Sequence, residues 1–177
     1  MLASVFIATS VDGFIARANG AIDWLPDAPE DHGYSEFFDS VDALVMGRGT
    51  FETVLGFGTW PYKKKRVVVL SSRPLDLSIA GDAPVQQMSG EPGDVVARLS
   101  EQGIKHAYID GGVTIQRFLR AGLIQRLIIT RIPVLIGTGI PLFGELPEDV
   151  QLQQVATRAY PSGLVQTEYT VKTVSQP

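Results

Sequence analysis

The sequence predicts an α/β fold: a mostly parallel central sheet of about eight strands, flanking helices, and a C-terminal antiparallel hairpin. Three observations lead there. Continuous apolar runs such as Leu2 to Thr9 (LASVFIAT) and Arg66 to Leu70 (RVVVL) read as strands buried on both faces, as in parallel sheets covered by helices. These runs alternate with helix-like segments, and twice the connection is a glycine turn. Gly163 to Val174 alternates, with Val165, Thr167, Tyr169 and Val171 on one face, the pattern of an antiparallel strand near a sheet edge.

In chain order, the opening strand is bounded by Ser10 and Asp12-Gly13. Phe14 to Pro29 then reads as a long irregular loop carrying Asn19-Gly20, Trp24, Pro26 and Pro29. Loops of this length are often lids or binding loops; a surface excursion in which Trp24 covers the core fits the same residues. Tyr34 to Val41 reads as a short helix with Phe37 and Phe38 turned inward. Ala43 to Met46 is a buried strand running into Gly47-Arg48-Gly49-Thr50 and a helix from Phe51. Free backbone N–H groups and the positive end of the helix dipole make such a turn an anion site. Arg48 adds a planar cation and Thr50 a hydroxyl. A tight turn with a surface arginine is the other reading.

The lysines at 63 to 65 read as a solvated loop before the strand at 66 to 70. That strand ends at Ser71-Ser72-Arg73-Pro74, where open α/β sheets bind ligands and where turn chemistry alone also suffices. Pro84 to Met88 is a short strand. Pro92 to Gln102 is a helix with Val95, Val96 and Leu99 on one face, ended by Gly103. Lys105 to Ile109 is the next strand, Asp110-Gly111-Gly112 its turn, and Thr114 to Ala121 the following helix. Ile124 to Ile136 is strongly β-forming but broken at Pro133, and Val150 to Tyr160 carries only a weak strand signal.

The 177 residues read as one domain, residues 1–177, with a net charge of −4 that argues against nucleic acid or an anionic membrane as partner. With no cysteine there is no disulfide, thiol catalysis or Cys-based metal site. His32 and His106 lack the spacing of a metal pair, His106 on a strand reads as structural, and no metal is expected. No apolar stretch approaches the roughly 20 residues of a membrane span, and the N-terminus has no basic leader, so a cytoplasmic protein is expected. There is no G-x-S-x-G elbow and no Walker A sequence. Gly56-x-Gly58 and Gly137-x-Gly139 both lack the third glycine of a Rossmann fingerprint. Two glycine turns on one sheet can still grip an extended, phosphate-bearing ligand. A dinucleotide would lie between them, with Arg48, Ser72 and Arg73 available to an extra ribose phosphate, which favours NADPH. The carboxylates Asp12, Asp23, Asp27, Glu30 and Asp31 crowd around the long loop; Asp12 and Asp31 are the candidates to carry a proton.

Val45-Met46-Gly47-Arg48-Gly49-Thr50-Phe51-Glu52 resembles the M-G-R-x-T-[WF]-E segment of dihydrofolate reductases, and the order of the other motifs matches. Nearer still is the reductase domain of bacterial riboflavin biosynthesis, the C-terminal part of a deaminase–reductase. Its pattern is echoed by Ser10 to Ala16, by Asp110-Gly111-Gly112 and by Pro133 to Phe143. The resemblance implies a dihydrofolate reductase-like fold, a homodimer, and NADPH-dependent hydride transfer to a riboflavin-precursor ribosylaminopyrimidine or a similar heterocycle. It implies that Gly47, Arg48, Gly49 and Thr50 hold phosphates and adenosine ribose. Leu70, Ser71, Ser72 and Arg73 would form the adenosine pocket. Gly111, Gly112, Val113, Thr114 and Ile115 would cradle the pyrophosphate, and the Ala8 backbone would meet the nicotinamide. The substrate would rest against Trp24 and Phe38. Dihydrofolate reductases carry an acid on the first helix, whereas Gly33 or Tyr34 falls there in this chain. That departure counts against dihydrofolate reduction, which is the alternative within the enzyme class, and it also motivates an alternative of another class in which the chain is a nucleotide-binding or dimerisation module without catalysis.

Overall fold

A computed structural model of the chain describes residues 1–26 and 31–172. Asp27 and Glu30, named above, lie outside the described residues. The strands are β1 (Leu2–Ser10), β2 (Phe14–Ala16), β3 (Ala43–Gly47), β4 (Arg66–Leu70), β5 (Val85–Met88), β6 (His106–Asp110), β7 (Arg126–Ile132), β8 (Ile140–Pro141), β9 (Leu152–Ala159) and β10 (Val165–Val171). The helices are α1 (Tyr34–Ser40), α2 (Arg48–Leu55), α3 (Pro92–Glu101) and α4 (Gly112–Arg120). Eight strands form one sheet in the order β5-β4-β3-β6-β1-β7-β10-β9, with parallel pairing except where β10 lies antiparallel to β7 and β9, and β2 pairs with β8 in a small separate ribbon.

The sheet is buried on both sides, which is why its central strands read as continuous apolar runs. Alternation sends Leu44, Met46, Val67, Val69 and Tyr108 to one face, where α1 and α2 contribute Phe37, Phe38, Phe51 and Val54. Ala3, Val5, Val45 and Ile109 go to the other face, where α3 and α4 contribute Val95, Leu99, Ile115 and Phe118. The first face is rich in rings and the second almost wholly aliphatic.

One irregularity of the sheet positions the site. Pairing of β1 with β6 stops at Ser4↔Tyr108. β1 nevertheless stays paired with β7 as far as Ser10↔Ile132, and β6 with β3 as far as Met46↔Asp110. The sheet therefore parts at its C-terminal edge between Phe6 to Ser10 on one lip and Ile109 to Asp110 on the other. A crevice of this kind, at the carboxyl ends of parallel strands, is where open α/β sheets take ligands.

Three readings of the sequence need correction. The supposed irregular loop begins as a strand, β2, because Phe14 and Ala16 pair with Pro141 and Ile140. Val150 to Tyr160 contains a full strand, β9, which forms the sheet edge and displaces β10 to second place. Its residues are exposed on both faces apart from Ala156, so burial imposes no alternation that a sequence pattern could reveal. The lysine run is not wholly solvated either: Lys65 Nζ donates to Val41 O at 2.6 Å and lies 5.0 Å from the centre of the Phe38 ring.

Candidate functional site

The two strand–glycine–helix units stand side by side, since β3 and β6 are neighbours in parallel register. Neither α2 nor α4 has a side-chain cap on its first turn, so their leading N–H groups remain available to an anion. The turns also interlock. Gly111 has φ +88°, and a Cβ there would overlap Thr50 Oγ1. A Cβ at Gly47 would approach Thr114 Oγ1 to 3.0 Å, and one at Gly112 would sit 3.1 Å from Ile15 and from Ile140. Each helix thus lends a threonine to the space beside the other's glycine. Val113 and Ile115 share the first turns of α4, one exposed and one buried.

Leu70 pairs with Gly47, which brings the end of β4 level with this edge. The loop beyond it is held by a residue that no sequence motif singles out. Gln87 Nε2 donates to Ser71 O and Arg73 O, and its Oε1 accepts from Leu75 N–H. Ser71 Oγ donates to Arg73 O at 2.7 Å, whereas Ser72 and Arg73 are exposed. Arg48 is exposed too and shares a 2.6 Å contact with Glu52 one turn on. An open pair of that kind is weak enough to exchange for a phosphate.

Across the crevice, Ala8 is half-buried and pairs with Thr130. The ring-rich face continues here with Phe6 and Tyr34, whose centroids lie 5.4 Å apart. Phe38, expected to meet a substrate, is buried: it stacks on Tyr62 at 6.3 Å beneath the Lys65 ammonium. Tyr34 is the ring that α1 leaves half open. Trp24 is half-buried, and its enclosed Nε1 has no partner among the described residues.

Of the two acids expected to carry a proton, neither is idle. The Asp12 carboxylate accepts from Gly137 N–H at 2.8 Å and Ile136 N–H at 3.3 Å, clasping the segment before β8. The Ser10 hydroxyl, aided by these two N–H groups, holds it below the usual carboxylate range. Asp31 Oδ1 accepts from Ser35 N–H at the start of α1. Sequence reasoning took Asp110 only as part of a turn, yet it is the perturbed acid of the site. Burial pushes its carboxyl up to about 6, opposed by one hydrogen bond from Gly111 N–H. Tyr34 nearby is pushed up to about 12, by burial first and by Asp110 second. Also missed was Gln166 on β10, whose Nε2 donates to Thr130 Oγ1 and to His32 O, both at 3.0 Å. His32 has φ +47°, so this bond pins a strained residue ahead of α1. His106 is structural as expected, bonded to the Ser4 hydroxyl and to Ser40 O. A cavity of about 210 Å³ on the opposite sheet face, beside Thr9, Ile129, Arg131 and Tyr169, is separate from these turns. Among the described residues no group of His, Asp and Glu could hold a metal ion.

Comparison with known proteins bears on the family and the fold. The family model described as the RibD C-terminal domain matches residues 3–166. The Bacillus subtilis protein YwjB is 34% identical over 160 residues, covering 88% of this chain and 90% of its own. A solved structure from Shewanella sp. PV-4, of a protein assigned to riboflavin biosynthesis, is 41% identical with a TM-score of 0.90, covering 98% of this chain and all of that one. Dihydrofolate reductase from Enterococcus faecalis, solved with NADP(H), is 22% identical with a TM-score of 0.67 over 98% of this chain and 97% of its own, and shares the fold.

Two measurements test the site's construction. Gly111→Ala should destabilise the protein by about 2–4 kcal/mol, from positive φ and the collision with Thr50. Adding Thr50→Ala should restore part of that loss in urea denaturation; strictly additive losses would mean the turns do not interlock. Between the ordinary carboxylate range and about 6, folded Asp110 holds a proton that the unfolded chain has released, so its contribution to stability falls as pH rises through that window. Asp110→Asn should therefore stabilise the fold by on the order of 2 kcal/mol at neutral pH and by little near pH 4. An equal effect at both values would be inconsistent with the raised carboxyl.

Proposed function

Because the chain belongs to the RibD C-terminal domain family, we propose that it is an NADPH-dependent reductase that transfers hydride to a riboflavin-precursor ribosylaminopyrimidine or a similar heterocycle. The observation that carries this reading is the parted sheet edge, with two uncapped helix N-termini beside it. The residues present fit the cofactor, because close approach at Gly111 and Gly112 leaves backbone N–H groups where side chains would otherwise stand. Gly111 to Ile115 would hold the pyrophosphate. Gly47 to Thr50 would hold phosphate and adenosine ribose, Leu70 to Arg73 the adenosine, and the Ala8 backbone the nicotinamide amide. Arg48, Ser72 and Arg73 would read the 2′-phosphate.

When bound, NADPH supplies the hydride, and the chain's own residues supply orientation, dryness and a proton. Asp110, with its carboxyl near 6, takes up and releases a proton just below neutral pH at the lip of the crevice. The Thr130 hydroxyl accepts from Gln166 and so keeps its own proton to donate. Tyr34, packed on Phe6, and in this reading Trp24 would shield the crevice from water. Asp12 positions the segment at Ile136 and Gly137, and Asp31 the start of α1. No helix of the described residues is long and apolar enough to cross a membrane, in keeping with a cytoplasmic enzyme acting on a small molecule.

The reading also expects a homodimer. The exposed edge strand β9 and the exposed Leu135, Phe143 and Val155 offer apolar surface for pairing. Light scattering at micromolar concentration should return twice the chain mass of 19.2 kDa; a monomer would count against it. For the cofactor, Arg48→Ala should weaken NADPH binding about ten-fold or more and NADH binding hardly at all. Equal losses would mean that Arg48 does not read the 2′-phosphate. Tight NADPH binding without turnover on a panel of pterins, ribosylaminopyrimidines and flavins would instead favour a binding module.

A further inference from the structure

Resting on the reductase reading, we infer that Gln166 sets the Thr130 hydroxyl as a hydrogen-bond donor to the substrate ring. The crevice then selects heterocycles with a carbonyl on the edge facing β7 over those with an amino group there. The partners of the Gln166 amide fix its orientation. His32 O can only accept, so the group 3.0 Å from it is the NH₂ end. The same nitrogen lies 3.0 Å from Thr130 Oγ1 and spends its second hydrogen there. The Oε1 end faces the Tyr160 hydroxyl at 3.5 Å instead. Thr130 therefore receives a hydrogen bond that it cannot return, because an amide NH₂ has no lone pair to accept with.

The hydroxyl proton is left over. Among the described residues, Thr130 Oγ1 has no hydrogen bond other than the one from Gln166. Thr130 is 6% exposed and Gln166 9%, so this proton lies away from bulk water. The row continues from Thr130 through Gln166 to Arg158 on β9, which is exposed and can only donate. No acceptor in the row competes for the hydroxyl. Thr130 also pairs with Ala8, beyond the point where β1 parts from β6, and shares a sheet face with Ile128 and the Phe6 and Tyr34 rings. A flat ring laid against those rings presents an edge to the hydroxyl. A carbonyl on that edge takes the proton and extends the chain from Gln166 through Thr130 to the ligand, each bond strengthening the next. An amino group could use only the remaining lone pair of Oγ1. It would leave the hydroxyl proton buried and unbonded, and such a mismatch is what a polar site discriminates against most strongly.

The test uses the full chain loaded with NADP⁺ and two matched series, pteridines and ribosylaminopyrimidines, each in its dioxo and diamino form. Calorimetry should find a dioxo ring bound and its diamino counterpart about ten-fold or more weaker. A diamino ring bound as tightly as its dioxo counterpart, or no dioxo ring bound, overturns the inference. Gln166→Glu keeps the shape but carries at most one proton, which His32 O claims. The oxygen beside Thr130 then accepts from the hydroxyl and leaves only lone pairs for the ring, so the preference should turn toward the diamino form. A merely structural role for Gln166 would weaken both rings and leave their ratio unchanged, which overturns the assignment. Thr130→Val and Thr130→Ser leave Gln166 in place and cover the case in which the glutamate variant does not fold. Valine should narrow the ratio several-fold and serine should keep it; an unchanged ratio with valine overturns Thr130 as the reader of the ring edge. NADP⁺ binding, measured before any ring is added, separates the two levels. Its absence defeats the reductase reading, whereas NADP⁺ bound with diamino rings preferred defeats only this inference.

Discussion

The close approach of Gly111 to Thr50 is the constraint on which the rest of the molecule depends. Two adjacent parallel strands must each turn at once into a helix, one on either face of the sheet. The two helix starts then crowd the same few ångströms of edge, and they fit only because glycine removes a Cβ on one side where threonine fills the space from the other. Gly47 and Thr114 repeat the arrangement in reverse. Helix N–H groups without side-chain caps are left at this contact, so the packing that closes the core also leaves the donors on which the proposed cofactor site draws. Stability and binding are drawn here from one set of atoms.

The parting of β1 from β6 extends the same logic. A parallel pair that ended flush would offer only turns to solvent. Because pairing ceases at Ser4↔Tyr108, backbone and side chains of both strands face a gap while the outer neighbours hold each lip rigid. Asp110 sits where the gap meets the ring-rich face. Burial there raises its carboxyl to about 6, and burial first, Asp110 second, raises the Tyr34 and Tyr108 hydroxyls nearby. On the far lip, Gln166 ties β10 to the strained His32 backbone, so the position of α1 is set from across the sheet.

Much of this was legible in the sequence because it was written in apolar runs and glycine turns. LASVFIAT and RVVVL announced buried strands, and Met46-Gly47-Arg48 with Asp110-Gly111-Gly112 announced the two helix starts in the right order. What was not legible had weak or misleading local signals. β9 is exposed on both faces, so no alternation marks it. β2 is three residues long and is a strand only because Ile140 and Pro141 lie beside it. Gln87 and Gln166 act through partners distant in the sequence, Gln166 through His32 O and Thr130, and burial is what raises Asp110; a glutamine or aspartate looks the same in one dimension whether solvated or enclosed. Phe38 misled for a related reason. Two adjacent phenylalanines on a short helix cannot both face a ligand, and the third ring, Tyr34, one turn earlier, stays half open.

The division between the two ends of the crevice follows from charge. The side of β3 and β4 gathers Arg48, Arg73 and two helix dipoles around a position that suits phosphates. The side of β1 and α1 gathers rings and carboxylates, with Asp31 already occupying the helix start that an anion would use. A ligand with phosphates at one end and a neutral ring at the other has only one favourable orientation along such a gradient, before any specific contact is made.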